Sequence, residues 1–360
     1  LVEIKLMAVA PVFFIALYLI SPRLFNWAWR AEDNDYPELE TAIRKMSERA
    51  ETPVSGIKIW DTFNEPVPNA AVAGLSARYR YVYITRYLLT IFSAGQVEGV
   101  VAHELGHLRL GHVATYMLYS INLILVSVLF KLSVITWLPQ YFIDSAWASF
   151  AEMVIFLGIF AVTFTALARY SEFQSDAFAV AVTDADTFAS GLERLNSMIM
   201  PPPSFIPHWL LTHPPIQDRI DRARKGGGTK ISDLLRRARK IRLGLLAFGL
   251  VMMLAAAYPG GAVLQISHLY DAVQAGNCRL AVSQYNSLPE WLKQHPLVLQ
   301  EAGKLAAGCR SPLLAVAVAA EATLGLRLVP VSEILHHAGA PEVTLDFEVM
   351  KLVLKSLDLW

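Results

Sequence analysis

The sequence predicts an α-helical membrane protein with a mainly helical α+β domain carrying a small β-sheet, followed by an α-helical C-terminal module. Three observations lead there. First, 54% of the 360 residues are hydrophobic and only 17% charged, where soluble domains carry about 25% charged residues. Second, the apolar residues gather into four stretches. Third, the segments between them mix short β-type runs with amphipathic helical patterns. Two or three domains are expected at this length, given about 100–200 residues for each. The charge balance, 31 basic against 31 acidic residues, lacks the basic excess of a nucleic-acid binder. No nucleic-acid partner is expected.

The four stretches are residues 6–20, interrupted by Pro11; 113–130, uncharged and extendable past Lys131 to Leu138; 150–168, with only Glu152; and 243–258, extendable through Pro259 to Leu264. A spanning helix needs about 20 predominantly apolar residues. The middle two are long enough and the outer two are short. Buried core helices are the competing reading, and for the first stretch a cleaved signal peptide. Ser21-Pro22-Arg23 follows that stretch instead of a small-residue cleavage site, so a retained anchor is expected.

Orientation follows from Lys and Arg near the span ends. Arg236, Arg237, Arg239, Lys240 and Arg242 lie directly before the fourth stretch, and Arg23 and Arg30 follow the first. The loop 139–149 has no Lys or Arg, only Asp144. Segments 22–112 and 169–242 are thus expected in the cytoplasm, where they fold together; the 139–149 loop and the C-terminal tail are expected outside. The organisation is an anchor (1–22), one domain built from 23–112 and 169–240, a transmembrane hairpin (113–168), a further span (241–264) and a helical module of unknown role (265–360).

Within the domain, residues 38–50 place Leu39, Ile43 and Met46 at helical spacing. Residues 54–60 and 79–85 read as strands, rich in β-branched and aromatic residues. From Ala94 the pattern is helical and runs on into the second span. Residues 184–198 form another helix, broken by Pro201–Pro203, and Gly226–Gly228 is a linker. The tail is Ala- and Leu-rich, with turns at Gly276-Asn277, Pro289, Gly308 and Pro312.

The chemistry is concentrated in VVAHELGHLRLGH, residues 100–112, where His103-Glu104-Leu105-Gly106-His107 fits H-E-x-x-H. Residues four apart on a helix lie one above the other, so both imidazoles reach one metal with Glu104 beside them. Bound Zn²⁺ brings the pKa of its water toward neutrality, and a neighbouring carboxylate takes the proton. His112, nine residues beyond His103, is expected on the opposite side of the helix in a structural role. A catalytic site needs a third protein ligand. A His six residues after His107 is excluded, because that position is Val113. The segment 168–178, ARYSEFQSDAF, leaves the third span on the same side and offers Glu172 and Asp176 on one helical face. The alternative reading of that pair is a solvated acidic face.

These residues resemble the membrane gluzincin metallopeptidases, the group of HtpX-like heat-shock proteases, CaaX prenyl endopeptidases and Oma-type peptidases. The likeness covers about residues 50–225, in four segments taken in order. They are Pro68-Asn69-Ala70 through Gly74; Glu98 with Ala102–His107; Ser171–Asp176, with Ser175 where Ala is usual; and Thr212-His213-Pro214-Pro215 with Arg219. The resemblance implies a zincin-type catalytic domain with an edge strand and one Zn²⁺ per chain, held by His103, His107 and Glu172. It makes Glu104 the base. Asp176 would orient a ligand His, His213 would donate a hydrogen bond to the substrate carbonyl, and Arg219 would be an ion-pair partner. Asn69 would fix the edge on which an extended peptide lies. The expected activity is endoproteolysis of membrane or misfolded proteins at the cytoplasmic face of a bacterial inner membrane. Its partners are protein or peptide substrates and membrane lipid. The alternatives are processing of prenylated C-termini, which four spans favour less, and a non-catalytic membrane scaffold. The tail lies outside the resemblance and is a candidate surface for a protein partner. Its two cysteines, Cys278 and Cys309, stand beside turn signals and are expected to bridge if the tail is extracytoplasmic.

Overall fold

The computed structural model describes residues 2–137 except 64 and 75, residues 146–198, residue 207, residues 211–293 except 227, and residues 295–308. The chain divides into two compact units, Val2–Val126 with Met153–Val251, and Ser127–Glu152 with the chain from Met252 onward.

In the larger unit, helix α1 (Val2–Ala28) leads to strand β1 (Glu32–Asp33), helix α2 (Pro37–Arg49) and strands β2 (Gly56–Trp60), β3 (Ala70–Ala73) and β4 (Tyr81–Thr85). Sheet order is β1-β2-β4-β3, with β2 parallel to β4 and both outer pairs antiparallel. Thus, among the described residues, β3 is paired along one edge only. Helix α3 (Arg86–Ile91) follows β4, and α4 (Ala94–Leu110) carries the H-E-x-x-H residues. Then come α5 (His112–Trp137), α6 (Ala146–Val182), α7 (Ala185–Asn196), α8 (Ile216–Lys225) and α9 (Ile231–Gln274).

The core joins α2 (Ile43, Met46), the sheet (Ile57, Val82, Ile84), α4 (Val101, Leu105) and α6–α8 (Phe178, Phe188, Ile220). Burying a side chain of this size contributes about 1.5–3 kcal/mol. Tyr83 lies fully buried and its hydroxyl reaches Asn26 Oδ1 at 2.9 Å and the Pro22 carbonyl at 3.2 Å, tying β4 to α1. Burial and the neighbouring Tyr81 push that phenol up to about 12.

The expected helices and strands at 38–50, 54–60, 79–85 and 184–198 form within two residues of those bounds, at α2, β2, β4 and α7. Three helices among the described residues are long and apolar enough to cross a membrane: His112–Ser133, Phe150–Val182 and Ile231–Gln274. Almost nothing of their most apolar stretches is buried, as lipid-facing surfaces require. The first expected stretch lies in α1 and exposes Val12, Phe13 and Leu19, but α1 is not one of these three.

One expectation needs correction. The chain does not run as one helix from Ala94 into the second span. Gly111 closes α4 in the left-handed conformation, φ 70°, and its N–H bonds back to the Leu108 carbonyl. Glycine alone adopts that conformation without steric cost. The chain turns there, and α5 starts afresh at His112.

In the smaller unit, the end of α9 packs with α10 (Cys278–Ser287), α11 (Glu290–Lys293) and α12 (Pro296–Gly308) around Leu269, Tyr285, Leu292 and Leu299. Asn277 caps α10 by accepting from the Leu280 N–H. Cys278 is disulfide-bonded. Cys309, Pro201–Pro203, Pro312 and most of the 139–149 loop lie outside the described residues.

Candidate metal centre

Helix α4 is specified at both ends. Ser93 Oγ accepts from the Gln96 N–H and Gln96 Oε1 accepts from the Ser93 N–H, a reciprocal capping box. Gly111 closes the other end. Between them, small residues let neighbouring helices approach. A Cβ on Gly106 would stand 3.1 Å from Ser175 Cα and 3.2 Å from Phe178 Cδ1. That close passage brings α6, with Glu172, against the two histidines.

His103 Nε2 and His107 Nε2 lie 3.2 Å apart. His107 Nε2 is 3.3 Å from Glu172 Oε1, and His103 Nε2 is 3.7 Å from Glu172 Oε2. Three ligands at the Zn–N and Zn–O distances of about 2.0–2.2 Å in a tetrahedron stand roughly 3.3–3.5 Å from one another. The donor set therefore fits Zn²⁺ in number, type and spacing. Glu172 Oε2 is buried and meets no donor in hydrogen-bond alignment, although His213 and Arg219 stand close to it. The sequence argument left Glu172 and Asp176 both open. The geometry separates them, because of the two it is Glu172 that joins His103 and His107, among the described residues, in a cluster that could hold a metal ion.

Asp176 stands behind His103, its Oδ1 2.9 Å from Nδ1. Arg219 donates to Asp176 through Nε at 2.9 Å and Nη2 at 2.7 Å, and its Nη1 lies 3.4 Å from Glu172 Oε2. Burial opposes the charge of Arg219, but Asp176 and Glu172 outweigh it and hold its pKa above the ordinary value. Thr212-His213-Pro214-Pro215 leads into α8 and sets His213 Nδ1 2.9 Å from Glu172 Oε2, with the ring largely exposed. Glu104 and Asn69 meet these groups along one cleft of about 790 Å³, together with Ala70, His103, Glu172 and His213. Asn69 is pinned where β3 begins. Its N–H donates to Thr85 Oγ1, its carbonyl accepts from the Thr85 N–H, and its Oδ1 accepts from the Ala70 N–H. Leu88, Phe92, Phe188 and Leu192 make the cleft apolar beyond the polar end.

His112 is not where helical periodicity puts it. Because the chain turns at Gly111, His112 swings back, and its Nδ1 lies 3.1 Å from His107 Nδ1. Its Nε2 is 3.1 Å from Gln174 Oε1, and Ser175 Oγ is 3.3 Å from Nδ1. His112, Gln174 and Ser175 were thus missed as neighbours of the site. The readable signal was a glycine directly after the last helical residue, which marks a left-handed cap.

Two neighbouring histidines and a glutamate beside a strand edge unpaired among the described residues, on a chain with long apolar helices, are features of a membrane metalloprotease. The profile of peptidase family M48 matches residues 33–226, and the chain belongs to that family. A Protease HtpX homolog of Dictyoglomus turgidum is 29% identical over 217 residues, 54% of this chain and 70% of the relative. One from Tropheryma whipplei is 27% identical over 241 residues, 58% and 80% respectively. The crystal structure of S. mikatae Ste24p aligns at 16% identity and TM-score 0.49, covering 61% of this chain and 57% of that one.

Proposed function

We propose that the protein is a zinc-dependent endopeptidase that hydrolyses peptide bonds of membrane or misfolded proteins in protein quality control. The observation that carries this reading is the convergence of His103, His107 and Glu172 at zinc-ligand spacing in the cleft that Asn69 and Ala70 border. The HtpX homologues among its relatives, named as proteases, support the activity.

His103 Nε2, His107 Nε2 and Glu172 would hold one Zn²⁺. When bound, zinc supplies Lewis acidity, polarising the scissile carbonyl and lowering the pKa of water. Glu104 takes the proton of the attacking water on its carboxylate and hands it to the leaving amine nitrogen. His213 donates a hydrogen bond to the carbonyl oxygen as negative charge develops there. Asp176 holds the proton of His103 Nδ1, and Arg219 keeps Asp176 ionised and in place. The free edge of β3, fixed at Asn69, receives the substrate as an added extended strand. Residues 23–112 and 169–240 form this catalytic domain on the cytoplasmic side. Residues 1–22 anchor it, 113–168 and 241–264 cross the bilayer, and 265–360 lie outside and offer a surface to a protein partner.

The test is turnover of an unfolded casein and of a prenylated C-terminal peptide by the full chain in liposomes. The account expects internal cleavage of casein, abolished by a chelator and restored by Zn²⁺. Cleavage confined to the prenylated peptide would favour C-terminal processing. A zinc-loaded protein that cleaves neither would favour the scaffold.

A further inference from the structure

The two histidines of the metal centre are backed by different chemistry. His103 Nδ1 faces a carboxylate, Asp176, itself held by Arg219. His107 Nδ1 faces a second imidazole, His112, which is buried to 2% exposure. We infer that His112, Gln174 and Tyr170 form a hydrogen-bond relay that fixes the tautomer and orientation of His107, so that the ends of the two helices that continue into the membrane hairpin position the second metal ligand.

The direction of every bond in the relay follows from one requirement. To ligate through Nε2, His107 must carry its proton on Nδ1, so Nδ1–H donates. The partner at 3.1 Å is then His112 Nδ1 acting as acceptor. That places the proton of neutral His112 on Nε2, which donates to Gln174 Oε1 at 3.1 Å. The same amide donates through Nε2 to the Tyr170 hydroxyl at 3.1 Å. Ser175 Oγ lies 3.3 Å from His112 Nδ1, and its hydroxyl can turn to donate to that atom as well. From His107 Nδ1–H to the Tyr170 oxygen, each donor meets an acceptor. His112 opens α5, and Tyr170 and Gln174 sit on α6. Both helices continue into the apolar spans.

The inference rests on His107 being a ligand, and the experiment keeps the two apart. Zinc affinity is measured by chelator competition on the full chain in detergent, alongside the visible spectrum of the Co²⁺-loaded protein. Wild-type protein binding about one zinc upholds the ligand set; wild-type protein binding none sinks the function proposed above and this relay with it. Among variants, His112→Asn places Oδ1 where Nδ1 stood and keeps the acceptor. Its affinity should stay within a few-fold of wild type, with the cobalt spectrum unchanged. His112→Phe keeps the ring shape and loses the acceptor. It should bind about 10–100-fold more weakly, the range for loss of a group that orients a ligand. If packing alone mattered, Phe would outperform the smaller Asn. That order, or equal affinity in both, overturns the relay. Should the His112 variants fail to fold, Gln174→Met and Gln174→Glu decide. The relay expects weaker zinc with Met and recovery with Glu, which keeps an acceptor for Nε2–H. Wild-type affinity in Gln174→Met contradicts it.

Discussion

Helix α4 is 17 residues long, capped at both ends and packed into the core, whereas α6 runs for 37 residues from an apolar exposed stretch into the site. Both deliver side chains to the candidate metal site. For α4 the position is set locally, by Ser93 and Gln96 at one end and Gly111 at the other. For α6 it is set by contacts made far along a continuous helix, at Ser175 and Phe178 against Gly106 and at Asp176 against Arg219. The difference teaches where the centre is vulnerable. A change at an α4 cap loosens one end of a buried helix, while a change at the α4–α6 contact separates the proposed ligands themselves.

The largest stability effect should come from Arg219→Leu. It leaves the buried Asp176 and Glu172 without their cation, a loss of about 3–5 kcal/mol, read as a drop in thermal unfolding temperature with loss of bound zinc. Gly106→Ala should follow. Its Cβ forces α6 away and costs about 1–3 kcal/mol, and zinc should leave more readily on titration with chelator. Gly111→Ala acts at the α4 end, putting Cβ on a residue at φ 70°, 2.7 Å from Arg242 Nη1. The strain is about 1–2 kcal/mol. Because Gly111 also turns His112 toward His107, zinc affinity should fall along with the melting temperature. Ser93→Ala should be the mildest, about 1 kcal/mol from the lost cap, with zinc affinity intact. If Ser93→Ala released zinc as readily as Gly106→Ala, the division between locally and remotely held helices would be wrong.

How far the site was legible in the sequence follows the same division. His103, Glu104 and His107 sit within one turn of one helix, so spacing alone placed them. Glu172 is on a different helix, and the residues left it level with Asp176. Position relative to the metal-facing atoms, a tertiary fact, separates the two. His112 was placed on the wrong side because helical periodicity was carried through Gly111. Among the strands, β2 and β4 were readable from their β-branched and aromatic residues. β1 has two residues, Glu32 and Asp33, too few for alternation to register. β3 is Ala-Ala-Val-Ala, whose weak strand preference is overridden by pairing with β4, and only the resemblance pointed to an edge there. The spans showed through length and apolarity, which the bilayer demands wherever the chain crosses it.

The central claim is that Glu172 holds the metal while Glu104 moves the proton. It is tested by measuring zinc content and casein turnover together in Glu104→Gln and Glu172→Ala. The account predicts that Glu104→Gln keeps about one zinc per chain and loses proteolysis, while Glu172→Ala loses both. A Glu172→Ala protein that retains full zinc and turnover, or a Glu104→Gln protein that still cleaves, would contradict it.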